Sequence, residues 1–187
     1  MTALAHGTRL VATTRPIALT RPLLDELGDD GFAWLHDGAG LVTAGVVAVL
    51  DAVEVTTFLA GIERDDAVRV RGTGPIAFGA LAFRPDAPQR LVVPARVVGR
   101  AADGTAWLTE LCAAGTDPRA RVEDAAASPR PGRYLVSSVQ SRARWCTNVL
   151  AALHAIECGD LEKVVLAREV VVEADNPFPR REVLHRL

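Results

Sequence analysis

The sequence predicts a chain that mixes β-strands with α-helices, on three observations. Two segments, 31–45 and 97–109, each consist of apolar or alternating runs broken by an Asp-Gly pair, the pattern of a tight hairpin turn. Trp145, Val149, Ala152, Leu153 and Ile156 fall at i, i+4, i+7, i+8 and i+11, which is one apolar face of a helix. Val164, Val165, Leu166, Val170, Val171 and Val172 form a nearly continuous aliphatic run. Such a run suits a strand covered on both faces better than one with a wet face.

The 187 residues are enough for one domain with a sizeable core, and 49% hydrophobic with 24% charged residues is ordinary for a globular protein. A net charge of −2 argues against a nucleic-acid partner, which normally requires a clear basic excess. Cys112, Cys146 and Cys158 are odd in number and lack metal spacing, so neither a disulfide framework nor a zinc site is expected. Cys146 and Cys158 fall on one helix roughly 18 Å apart, too far to bond to each other. A reducing cytoplasm fits this usage. The start, Met-Thr-Ala-Leu-Ala-His-Gly, lacks a secretory pattern. The most apolar window, Leu41 to Val55, is interrupted by Gly45, Asp51 and Glu54 and is too short for a membrane span.

Taken in order, Leu10-Val11-Ala12 and Ile17-Ala18-Leu19 are short apolar pieces broken by Arg-Pro, reading as a first strand followed by a short helix at Leu23 to Leu27. Gly31 to His36 alternates as a strand, Asp37-Gly38 turns, and Leu41 to Gly45 returns. Val46 to Val55 fits strand or helix, as short apolar runs do. Thr56 to Arg64 looks helical, and Asp65-Asp66 ends that segment in solvent. Gly72-Thr-Gly-Pro-Ile-Ala-Phe-Gly79 looks like a phosphate loop but fails as one. Pro75 removes an N–H donor and no Gly-Lys-Ser or Gly-Lys-Thr follows. Its glycines instead let strands approach closely or bulge.

Phe78 onward reads as a central strand, and Pro85 and Pro88 punctuate a loop before a second strand at Leu91 to Val93. Val97 to Arg100 and Ala106 to Thr109 form a hairpin about Asp103-Gly104. Residues from about 113 to 132, rich in Ala, Pro, Asp, Arg and Ser, read as a mobile connector. Tyr134 to Ser137 reads as a short strand, Ser137 or Ser138 as the N-cap of the next helix, and Gly159 as that helix's stop. His154 is expected to make a local hydrogen bond and shares no ligand spacing with His6, His36 or His185. Asn176-Pro177 reads as a cap with proline at the first helical position. The apolar face begun by Val183, Leu184 and Leu187 carries no stop signal, suggesting a helix that continues.

Lys163 stands at the start of the aliphatic run and is the only lysine among 21 basic residues. Arginine stays protonated at any pH a protein meets, whereas a desolvated lysine gives up its proton and acts as a base. The alternative is a surface lysine whose stem lies on apolar neighbours while its ammonium stays in water.

Gly159-Asp-Leu-Glu-Lys-Val-Val-Leu-Ala-Arg168 resembles the signature of the chorismate-utilising enzymes, in the branch of the isochorismate synthases. In that family the lysine of the Lys-Val-Val-Leu-Ala-Arg run is the general base that activates water, a role the resemblance gives to Lys163. Anthranilate synthases carry glutamine at the matching position, so the lysine implies water as nucleophile; salicylate synthases share it. Residues 78–94 are similar to the Gly-Ala-Ile-Pro-Phe-Asp-Pro pattern of isochorismate synthases, with Ala82 where proline is usual and Arg84 where aspartate is usual. Both hairpins fall in family order.

The resemblance implies an α+β fold class, with layered antiparallel β-sheets, flanking helices and an active site in the crevice between them. Residues 1–187 would form the N-terminal half of a single chorismate-binding domain. The implied activity is that of an isomerase converting chorismate to isochorismate, in a pathway to menaquinone or a siderophore. The implied cofactor is Mg2+, held by glutamates. Those glutamates and the glutamate that acts as general acid belong to motifs expected beyond Leu187, and Glu157, Glu162, Glu169 and Glu173 match none of them. A noncatalytic folded fragment or interaction module of the family is the alternative. No membrane partner is expected. Sheet edges and apolar faces left uncovered make self-association an expectation.

Overall fold

The computed structural model describes residues 9–84, 86–116 and 130–187. Two compact units emerge. One holds the described residues up to Thr116 together with Arg180–Leu187, and the second runs from Arg130 to Pro179. The α+β class is borne out.

The first unit is a six-stranded sheet of β1 (Leu10–Pro16), β2 (Ala33–His36), β3 (Ala39–Asp51), β4 (Glu63–Asp66), β5 (Arg90–Arg100) and β6 (Ala106–Ala113). Its spatial order is β2-β3-β5-β6-β1-β4, antiparallel throughout except for the parallel pair β1–β4. The β2–β3 turn uses Asp37 and Gly38 at φ 50° and 73°, the left-handed conformations that such a two-residue turn demands. Pro94 cannot donate to a ladder, and β3 shifts register beside it between Val46 and Ala48.

Both sheet faces are covered. Leu23, Leu24 and Leu27, in and just after a 3₁₀ turn at Leu23–Glu26, pack with Val42, Val98 and Leu108. Helix α1 (Ala52–Ala60) lends Phe58 and Leu59 to a second cluster of Leu10, Ala12, Ile62, Val93 and Leu111. Side chains alternate between faces along a strand, so Val98 with Leu108 and Val93 with Leu111 mark opposite sides.

Charged groups at the first face are paired. Arg15 donates to Glu110 at 3.0 Å, and Arg96 and Arg21 donate to Glu26 at 2.9 and 2.8 Å. Burial pushes the Glu26 carboxyl upward, but the hydrogen bonds and charges of Arg21 and Arg96 outweigh it and hold the group below its ordinary value. Helix α3 (Arg180–Leu184) is fixed to this unit by Arg180 donating to the Asp29 carbonyl at 2.6 Å and by His185 Nε2 lying 2.9 Å from Asp25 Oδ1.

The second unit contains β7 (Tyr134–Ser138), α2 (Arg142–Glu157) and β8 (Val170–Ala174), with β7 and β8 paired antiparallel.

Several expectations are corrected. Asp65 and Asp66 do not end a helix in solvent: α1 stops at Ala60, and both aspartates pair with β1 in an edge strand. Hydrogen bonds from Thr73 and from the Val68 and Arg69 amides outweigh burial and lower the Asp66 carboxyl. Phe78 begins no central strand and makes only an isolated bridge with Val92, and Gly79 beside it lies so close that an added Cβ would sit 2.6 Å from a Leu91 methyl. Val46 to Val55 proves to be both alternatives, strand to Asp51 and helix beyond. The last helix starts at Arg180 instead of Pro177. Most of the expected connector, residues 117–129, lies outside the described residues, although β6 extends to Ala113. None of the three cysteines is in a disulfide.

Candidate functional site

The lysine segment is held at both ends within the second unit. Helix α2 begins at Ser141, whose side chain accepts a hydrogen bond from the Arg144 amide at 3.2 Å. The cap is therefore neither Ser137 nor Ser138; the Ser138 hydroxyl instead donates to the Gln140 carbonyl at 2.8 Å. At the other end Gly159 adopts φ 79°, as its reading as a stop requires. Its amide donates to Ile156 at 3.0 Å and the Asp160 amide donates to Ala155 at 2.9 Å. This pair of bonds is the Schellman termination, which uses two of the helix's orphan carbonyls and turns the chain sharply. His154 Nε2 lies 3.6 Å from Cys158 Sγ, the local contact expected of it.

Downstream, the Arg168 Nε donates to Ser138 Oγ at 3.1 Å and the Val139 amide to the Glu169 carbonyl at 3.4 Å. Asp175 Oδ1 accepts from the amides of Gly132 and Arg133 at 3.0 and 3.3 Å, closing the far end of the β7–β8 pair. The rings of Tyr134 and Phe178 lie 6.0 Å apart beside it.

Between these anchors residues 163–168 belong to no ladder, so of the expected strand from Val164 to Val172 only the part from Val170 forms, in β8. The cause is the length of the partner. Strand β7 stops at Ser138 opposite Val170, and the chain beyond it turns into α2. The run is not covered on both faces either: Val165 is 93% exposed, and Val164, Leu166, Val170, Val171 and Val172 are exposed too. Lys163 is exposed, and among the described residues it makes no ion pair or hydrogen bond. The apolar face expected of α2 also exists but buries no residue, with Leu153 and Ile156 both exposed.

Among the described residues no group of three or more His, Cys, Asp or Glu could hold a metal ion. The described residues therefore do not form a site for the implied magnesium. No described helix is long and apolar enough to cross a membrane.

Residues 51–187 match the chorismate binding enzyme family. The chain belongs to that family. It is 35% identical over 155 residues to "Putative isochorismate synthase MenF" of Mycobacterium tuberculosis, strains CDC 1551 / Oshkosh and H37Rv. The match takes in 83% of this chain and 37% of each relative, so the chain spans a little over a third of their length. No solved structure matches it significantly. Both compact units contribute residues to the family match, and the whole lysine segment lies inside it.

Proposed function

We propose that this chain carries the water-activating segment of an isochorismate synthase, with chorismate as substrate and Lys163 as general base. The observation that carries the reading is the chain's only lysine standing in the Gly159–Arg168 signature within a matched chorismate-binding segment. The 35% identity to a protein named as an isochorismate synthase supports it.

The reaction adds water at one ring carbon of chorismate while hydroxide leaves from another. A base must take a proton from the incoming water and an acid must protonate the departing hydroxyl, so one water enters and one leaves. A lysine base must be unprotonated, a state that desolvation or a nearby cation favours. Lys163 is exposed in this chain, and the reading therefore requires a surface that closes over residues 163–168. The general acid and the glutamates expected to hold Mg2+ are assigned outside residues 1–187. A cytoplasmic location accords with three cysteines outside any disulfide.

The exposure of Lys163 and the lack of a carboxylate cluster among the described residues favour a second reading for the 187 residues alone, a folded module without activity. Incubating chorismate and magnesium with the 187-residue chain should give no product, and the full-length enzyme containing this segment should give isochorismate. Turnover by the 187 residues would refute the need for further catalytic groups. Salicylate from the full-length enzyme would move the assignment to the salicylate synthases.

A further inference from the structure

We propose that His154 and Cys158, at the C-terminal end of α2, chelate Zn2+ through imidazole and thiolate. The inference is independent of the chemistry above, because the site is read with the metal alone and without chorismate.

A spacing of four residues brings two side chains to the same face of a helix, one above the other. His154 in the last turn of α2 and Cys158 at its C-cap stand at that spacing, and their side chains meet. Cys158 Sγ lies 3.6 Å from Nε2 and 3.9 Å from Nδ1 of the ring. A tetrahedral Zn2+ holds sulfur at about 2.3 Å and nitrogen at about 2.1 Å, which sets the two donors about 3.6 Å apart. The backbone thus places sulfur and nitrogen at the separation of two corners of a zinc site. Both residues are exposed, so a turn of the ring aims Nε2 at a metal arriving from solvent.

The surroundings favour a cation. The C-terminal end of a helix carries partial negative charge on its last carbonyls. Glu157, Asp160 and Glu162 add three exposed carboxylates, and no lysine or arginine occurs between Asn148 and Glu162. The donor pair then selects among cations, since Mg2+ takes oxygen ligands whereas thiolate with imidazole suits Zn2+. The cysteines lack the spacing of a closed four-ligand site, and this pair makes half of one. Among the described residues no third ligand joins it, so water takes the two open corners.

On binding, the thiol releases its proton to solvent, and the sulfur and the unprotonated ring nitrogen each donate an electron pair to the metal. The bound ion then bridges the last turn of α2, just before the chain turns away at Gly159.

Titrating the reduced 187-residue chain with Co2+, a coloured stand-in for Zn2+, tests this. Co2+ should bind with the charge-transfer absorption of a thiolate–cobalt bond, and Zn2+ should bleach it. Cys158→Ser should remove the absorption, and His154→Gln should weaken binding about ten-fold or more. Cys146→Ser, roughly 18 Å away along the helix, should change nothing. Far-UV circular dichroism will establish that each variant is folded. In the parent chain, Zn2+ should slow alkylation of Cys158 by iodoacetamide, read by peptide mass spectrometry, and leave the rate at Cys146 as it is without metal. Absence of the absorption, its persistence in Cys158→Ser, undiminished affinity in His154→Gln, unslowed alkylation of Cys158, or equal affinity after unfolding in urea would overturn the proposal.

Discussion

Replacing Gly99 with alanine should unfold the first unit at markedly lower denaturant concentration. A Cβ at residue 99 would lie 2.2 Å from both Cε2 and Cζ2 of Trp107, where ordinary contact begins at 3.4 Å. The indole would have to move by more than an ångström, yet it is 2% exposed and is backed by Gly72, whose own added Cβ would meet the same ring at 3.2 Å. Overpacking of this kind costs about 1–3 kcal/mol, and a ring closed in on both sides places the cost near about 3. With a urea dependence of about 1.5 kcal/mol per molar, the midpoint followed by far-UV circular dichroism should fall by about 2 M. Trp107→Leu alone should also destabilise, by loss of volume and contact. The two changes share one space, so the double variant should be more stable than the sum of single effects by about 1 kcal/mol or more. A change within about 0.5 kcal/mol for Gly99→Ala, or strict additivity in the cycle, would refute the claim that this glycine exists to admit the indole.

Other consequences are as direct. Gly159→Ala meets no atom within 4 Å, so its cost is the left-handed backbone alone, about 1–2 kcal/mol, and equilibrium unfolding should show Gly159→Asn to be milder. Glu26 has a lowered carboxyl, so the stability it contributes is fully present above its ordinary value of 4.5 and is lost as pH falls through the lower folded value. Acid titration of Glu26→Gln should therefore show a shallower loss of stability below about pH 4.5 than the parent, and an identical acid limb would contradict the Arg21–Glu26–Arg96 assignment.

The legible parts of the fold were those with local causes. Asp37-Gly38 and Asp103-Gly104 announced their turns because few residues accept the backbone they need, and Gly159 announced a helix end for the same reason. Strand β4 was illegible because Glu63-Arg-Asp-Asp66 has no apolar alternation; only the open edge of β1, distant in sequence, makes it a strand. Phe78 looks central because it is aromatic beside small residues, but its pairing amounts to one bridge with Val92. At the site, residue type and order identified the segment and its glycine stop. Burial could not be read from the valines, since an aliphatic run records the environment a strand requires and supplies no partner for it. Residues 163–168 lie past the end of β7, and Lys163 there is exposed.

The central claim is that the Lys163 amine takes a proton from water. Steady-state formation of isochorismate by the full-length enzyme should fall by about 10²-fold or more for Lys163→Ala, the scale of losing a general base. Lys163→Arg should fall as far, because a guanidinium keeps the charge and cannot be deprotonated. Near-parental kcat in either variant, or recovery of activity by arginine, would contradict the account.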